Sequence, residues 1–178
     1  MKSILVFCGA RIGNEKIFAE QAYQLGAYLA KNNYRLIFGG GKVGMMGAVA
    51  NGVLENGGEA IGVIPIFLKD IEVMHDGLTE LIEVETMHER KAKMENLADA
   101  VIAMPGGFGT LDELFELLTW SQLNLHKKPL VLFNIKGYFD PLIIMMMQMV
   151  KTGFLGEENY RLLKVGDTIK ELMGKIEE

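Results

Sequence analysis

The stretch Met104-Pro105-Gly106-Gly107-Phe108-Gly109-Thr110-Leu111-Asp112-Glu113 holds the residue types of an anion site with an acid/base group beside it. A short apolar run, residues 100–104, leads into it, and an apolar helical run, residues 111–125, leads out. In a strand, glycine turn and helix of this kind, glycines let the backbone approach an anion closely. The first free N–H groups of the helix then point at that anion. Glu113 falls one turn inside the helix, where a carboxylate could act on a ligand held in the turn. The same letters also read as a capping box, Thr110-x-x-Glu113, in which both side chains only satisfy N–H groups of the helix start. Locally, both readings stand.

A second stretch, Met87-His88-Glu89-Arg90-Lys91, opens another helix behind a further capping box, Thr86-x-x-Glu89. Arg90 and Lys91 then lie near the positive end of the helix dipole, where cations are mildly disfavoured. A bound phosphate or carboxylate would repair the electrostatics; so, more plainly, would solvation beside Glu85 and Glu89. Gly39-x-Gly41-x-x-Gly44 matches a dinucleotide fingerprint in letters, but it follows the second strand rather than the first, and Glu59 would begin a strand where the fingerprint acid ends one. Val43 stands where a phosphate loop needs Ser or Thr. His75, His88 and His126 show no metal-ligand spacing, so no metal site is expected. Cys8 ends a strand and reads as a packed thiol, and Ser3 and Ser121 lack the setting of a nucleophile elbow.

The elements that must position these residues follow from the apolar pattern. Strands are expected at residues 3–8, 34–38, 59–64, 81–84, 100–104, 129–134 and 161–165. Helices are expected at about 14–31, capped by Asn14, from the glycine run 39–47 to about 56, and at about 86–98, 111–125, 140–151 and 167–178. Short apolar strands alternating with helices give a mostly parallel sheet covered on both faces, an α/β three-layer sandwich. Ligands of such sheets sit at the carboxyl ends of the strands, and the glycine turns after Cys8, Phe38 and Met104 all fall on that rim. The helix carrying Met145, Met146, Met147 and Met149 is apolar on nearly every side, which fits burial all round or a face for a partner subunit.

The chain has 178 residues, 49% of them hydrophobic, which fits one domain, 1–178, with a sizeable core. A net charge of −5 argues against general nucleic-acid binding. Cys8 is the only cysteine, so no internal disulfide forms and a reducing compartment is expected. The apolar run 142–150, interrupted by Gln148, falls far short of the ~20 residues of a membrane span, and the N-terminus lacks a signal-peptide layout. A cytoplasmic protein without membrane attachment is expected.

Taken together, Met87-His88-Glu89-Arg90-Lys91-Ala92-Lys93-Met94 and Pro105-Gly106-Gly107-Phe108-Gly109-Thr110-Leu111-Asp112-Glu113 resemble the paired signature of the LONELY GUY (LOG) family, the cytokinin riboside 5′-monophosphate phosphoribohydrolases, often labelled "possible lysine decarboxylase". The likeness extends through Thr119-Trp120-Ser121-Gln122-Leu123, His126-Lys127-Lys128-Pro129 and Asn134-Ile135-Lys136-Gly137-Tyr138-Phe139-Asp140, and so over nearly the whole chain. The resemblance implies a Rossmann-like fold, a homodimer, no cofactor and no metal. It implies hydrolysis of the N-glycosidic bond of AMP or its N6-modified forms to free base and ribose 5-phosphate. Carried over by position, Arg90 and Glu113 match the catalytic pair. Gly106, Gly107, Phe108, Gly109, Thr110, Leu111 and Asp112, with Lys91 and Thr119, match substrate-contact positions, and Glu72 matches an acidic contact in the preceding loop. Asp112 departs from the pattern, since Glu is common there.

The decarboxylase label finds no support in these residues, because such enzymes hold a pyridoxal cofactor on a lysine in a much larger fold. For the glycosidic reaction, Glu113 is expected to act at the anomeric carbon, while Arg90 would either clamp the phosphate or orient the ribose. A carrier or sensor that binds a nucleotide or cofactor without turnover is the alternative on the same fold.

Overall fold

The computed structural model describes residues 1–69 and 73–178. In chain order it forms β1 (Lys2–Phe7), α1 (Lys16–Lys31), β2 (Tyr34–Phe38), α2 (Gly44–Glu55), β3 (Ala60–Pro65), β4 (Glu80–Val84), α3 (Met87–Leu97), β5 (Ala100–Ala103), α4 (Phe108–Gln122), β6 (Leu130–Phe133), α5 (Asp140–Lys151), α6 (Glu157–Tyr160), β7 (Leu163–Gly166) and α7 (Ile169–Glu177). Single 3₁₀ turns follow β3, at Ile66–Leu68, and β6, at Ile135–Gly137.

Among the described residues the strands make one sheet of seven in the order β4-β3-β2-β1-β5-β6-β7. Every pairing is parallel. Both faces are covered, which is why the central strands read as unbroken apolar runs. Ile4 and Val6 pack with Leu25, Val49 and Leu172 of α1, α2 and α7. Leu5 and Phe7 point the other way, toward Met94, Leu114 and Met146 of α3, α4 and α5. From β1 the chain winds outward to β4 on one side, then returns to place β5 on β1's other side. The carboxyl ends of β1 and β5 therefore border the switch point of the sheet, where α/β folds hold ligands.

Helices α1 and α2 cross with their backbones nearly touching. A Cβ on Gly26 would stand 2.1 Å from the Val49 carbonyl oxygen, and one on Gly52 would stand 2.1 Å from that of Tyr23.

Two expectations change, and a choice left open for α5 narrows. The cap residue of α1 is Glu15 rather than Asn14, and it makes no side-chain cap bond. Helix α4 starts at Phe108 rather than at 111. Helix α5 is not buried all round: Met146 is 4% exposed, but Ile144 is 65% exposed and Met145 and Met147 are open as well. The apolar character of α5 therefore exceeds what the core of one chain uses.

Candidate active site

The site is built where the turns after β1 and β5 meet. The Met104 N–H donates to the Phe7 carbonyl (2.8 Å) and the Gly9 N–H to the Pro105 carbonyl (3.0 Å). A Cβ on Gly106 would fall 2.1 Å from the Thr110 hydroxyl oxygen, and one on Gly9 would fall 3.2 Å from the Gly106 Cα. Close approach, rather than a special φ, requires glycine at Gly106, and the fit at Gly9 is tight. The turn is thereby tight enough for α4 to begin at once, with Gly107 as its cap residue and no side-chain cap bond.

That geometry overturns the capping-box reading of Thr110 and Glu113. Both residues lie within α4, and Thr110 is buried beneath Gly106 at 4% exposure. The Leu111 N–H is bonded to the Gly107 carbonyl (3.2 Å), so the N–H groups of residues 107–110 are the ones an α-helix leaves without an intrahelical acceptor. The other capping box holds. Thr86 Oγ1 accepts from the Glu89 N–H (3.1 Å), and the Glu89 carboxylate accepts from the Glu85 N–H (2.8 Å). This fixes the start of α3 and with it Arg90, whose side chain is carried inward to 6% exposure.

Arg90 Nη2 donates to the Gly39 carbonyl across 3.0 Å. A Cβ on Gly39 would stand 2.2 Å from that nitrogen, so the glycine turn after β2 makes room for the guanidinium. The Met45 N–H at the head of α2 donates to the Gly9 carbonyl (3.0 Å). The Gly39–Gly44 run thus spends its glycines on packing, and its helix start does not present that donor to a pyrophosphate.

These elements enclose a cavity of about 720 Å³, a volume suited to a nucleotide-sized ligand. Its lining includes Gly9, Gly106 and Gly107, the charged residues Arg11, Arg90, Asp112 and Glu113, and the apolar residues Phe18, Met45, Phe67 and Met87. Cys8 lies at the bottom. Burial, reinforced by the negative charge of Glu113, pushes its thiol well above the usual range, so it stays protonated and unreactive, as a packed thiol would.

The cavity brings together Arg90, Gly106, Gly107, Gly109, Thr110, Asp112 and Glu113. Phe108, Leu111 and Thr119 line a separate shallow groove along α4, which shares only Asp112 with the cavity. The Thr119 hydroxyl donates to the Phe115 carbonyl (2.8 Å). Lys91 braces this region: its ammonium bridges Asp112 and Glu116, each at 3.0 Å. Burial alone would pull its pKa down, but the bonds to those two carboxylates outweigh it and raise the value. Glu72 lies outside the described residues.

Tyr138, which lies in the family-like run 134–140 but carries no assigned role there, completes the walls. Tyr138 donates its hydroxyl to the Gly106 carbonyl (2.6 Å) and meets Phe18 and Phe139 edge-on. The turn after β6 delivers it, with left-handed backbone at Lys136 and Gly137 and Asn134 bonded to both Asp140 and the Phe139 N–H. Besides that run, its signal in the sequence is its place after a strand's carboxyl end, the rim on which ligands lie.

A tight glycine turn, a buried arginine and a carboxylate around one cavity at the switch point of an all-parallel sheet define an α/β protein with a candidate ligand site on its rim. Comparison with known proteins narrows the class. Residues 46–176 match the family model described as "Possible lysine decarboxylase". The chain is 42% identical over 177 residues to the cytokinin riboside 5′-monophosphate phosphoribohydrolase LOG of Oryza sativa subsp. japonica, covering 99% of this chain and 73% of that protein. It is 47% identical over 155 residues to the cytokinin riboside 5′-monophosphate phosphoribohydrolase of Rhodococcoides fascians, covering 86% of this chain and 78% of that one. The chain belongs to the LOG family. Among solved structures, an X-ray structure from a structural-genomics consortium aligns with a TM-score of 0.75 at 25% identity, covering 99% of each chain. The molybdenum cofactor binding protein of Rippkaea orientalis shares the fold, with a TM-score of 0.74 at 22% identity over 99% of this chain and 96% of that one.

Proposed function

We propose that the protein hydrolyses the N-glycosidic bond of AMP or of N6-modified (cytokinin) riboside 5′-monophosphates, giving free base and ribose 5-phosphate. The observation that carries this reading is that Arg90 of α3 and Glu113 of α4 line one cavity together with the N-terminal turn of α4. The naming of relatives 42% and 47% identical as such hydrolases supports the same conclusion.

The chemistry follows from the placement. Cleavage passes through an oxocarbenium-like sugar, which a nearby carboxylate stabilises. Glu113 serves that cation and takes a proton from the water that attacks C1′, the C1′–N9 electron pair leaves with the base, and the departing base takes a proton from solvent, to which Glu113 returns the one it accepted. The 5′-phosphate rests on the N–H groups of Gly107, Gly109 and Thr110. Arg90, anchored at the end of β2 by the Gly39 carbonyl, orients the ribose. The largely apolar wall of Met45, Phe67 and Met87 receives the base. Water is the only co-reactant.

Incubation with AMP should release adenine. Glu113→Gln keeps the side chain's size and removes its charge, and should lower kcat by at least about a hundredfold with the melting temperature little changed. A variant at full activity would remove Glu113 from the mechanism. The carrier reading draws on a likeness in fold alone.

We further infer a homodimer, supported by the open apolar side chains of α4 and α5, and a cytoplasmic setting, in keeping with the lone, unbridged Cys8. Among the described residues no helix is long and apolar enough to cross a membrane.

A further inference from the structure

We propose that Arg11 is the residue that makes this site select a phosphorylated substrate, by pairing with the 5′-phosphate held on the first turn of α4. The inference rests on reading the cavity as a nucleoside monophosphate site.

Position favours it. Arg11 lies in the turn after β1 and lines the cavity. β1 and β5 are adjacent strands, with Phe7 level with Ala103, and the Gly9 N–H is tied to the Pro105 carbonyl at 3.0 Å. The β1 turn is therefore the direct neighbour of the phosphate cradle. Arg90 is anchored at the end of β2, roughly two strand spacings or ~10 Å along the rim from β5.

Charge favours it as well. A phosphate entering this cavity meets the carboxylates of Asp112 and Glu113. The end of a helix offers only about half a unit of positive charge, too little by itself for a phosphate dianion. Lys91 is occupied by Asp112 and Glu116, and Arg90 Nη2 by the Gly39 carbonyl. The Arg11 side chain is exposed and makes no hydrogen bond or ion pair among the described residues. Its backbone is nonetheless fixed, because the head of α2 packs on the turn: a Cβ on Gly44 would stand 2.3 Å from the Ala10 carbonyl oxygen and 2.6 Å from the Arg11 nitrogen. A held backbone with an uncommitted guanidinium is what bidentate phosphate recognition needs.

The test is calorimetric binding of AMP and of adenosine to the wild type, Arg11→Ala and Arg11→Lys, with adenine release followed in parallel. Arg11→Ala should weaken AMP binding by about tenfold to a hundredfold, the range for a lost charge-assisted hydrogen bond. It should leave adenosine binding within about twofold. Arg11→Lys should fall between, keeping the charge but losing the fork. The melting temperature should not move. Equal AMP affinity in Arg11→Ala, or equal losses for AMP and adenosine, would overturn the proposal. A wild type that prefers AMP to adenosine in binding yet releases no adenine would overturn the hydrolase reading and leave the role of Arg11 standing.

Discussion

Tyr138 shows how a residue that touches no reacting atom can set the site. Its hydroxyl holds the Gly106 carbonyl at 2.6 Å. The peptide that follows is planar and trans, so fixing that carbonyl also fixes the direction of the Gly107 N–H. The ring is wedged between Phe18 and Phe139, with centroids 6.1 and 4.9 Å away, and Phe139 is itself core. Tyr138→Phe should keep the packing and release the carbonyl. The expected result is a KM for AMP raised about three- to tenfold with a smaller change in kcat, the size of one neutral hydrogen bond. Steady-state kinetics on AMP reads this directly, and an unaltered KM would reduce Tyr138 to a wall residue.

At the scale of elements, the glycines at helix crossings do as much as those in the turns. Gly26 and Gly52 let α1 and α2 pass at a separation no side chain tolerates, with ideal Cβ positions 2.1 Å from backbone carbonyl oxygens. These are backbone obstacles, so Gly26→Ala must push the helices apart. The expected destabilisation is about 1–3 kcal/mol or more, against the ~1 kcal/mol that alanine would gain in an open helix. Chemical denaturation decides the sign, and a stabilised Gly26→Ala would show that the crossing is loose. The seven strands were legible in the sequence because a parallel sheet buried on both faces must be written in apolar runs. The cradle, Arg90 and Glu113 were legible because each sits in a local motif with a physical reason for its letters. The start of α4 was misread: Thr110-x-x-Glu113 has the letters of a cap, but the closeness of Gly106 to Thr110, which begins the helix earlier, is a contact between turns. The part that Arg11, Phe67 and Tyr138 take in the cavity is hidden in the sequence for the same kind of reason. They follow β1, β3 and β6, and only the strand order brings them to one cavity. The four-residue α6 carried too short a pattern to read.

The whole molecule is lopsided in what it leaves open. The layer of α1, α2 and α7 buries its large apolar side chains against the sheet, and Tyr23 is its only large hydrophobic residue among the exposed ones of those helices. The opposite layer leaves Phe108 at the head of α4 94% exposed and Leu125, just past its end, 69% exposed, with Ile144, Met145 and Met147 open on α5. A one-sided apolar surface of this kind suits an interaction face, and the commonest occupant of such a face is a second copy related by a two-fold axis. Methionines suit such a seam, because they adapt to a partner's surface. The groove lined by Phe108, Leu111 and Thr119 lies on this same layer, so a dimer formed there would border the α4 turn that carries the cradle. Light scattering after size exclusion should give twice the chain mass of 19.8 kDa at micromolar concentration. Ile144→Asp or Leu125→Asp, each placing a charge on the seam without touching the core, should shift the population to monomer. A wild type that runs at the mass of one chain would leave these apolar side chains to a different partner.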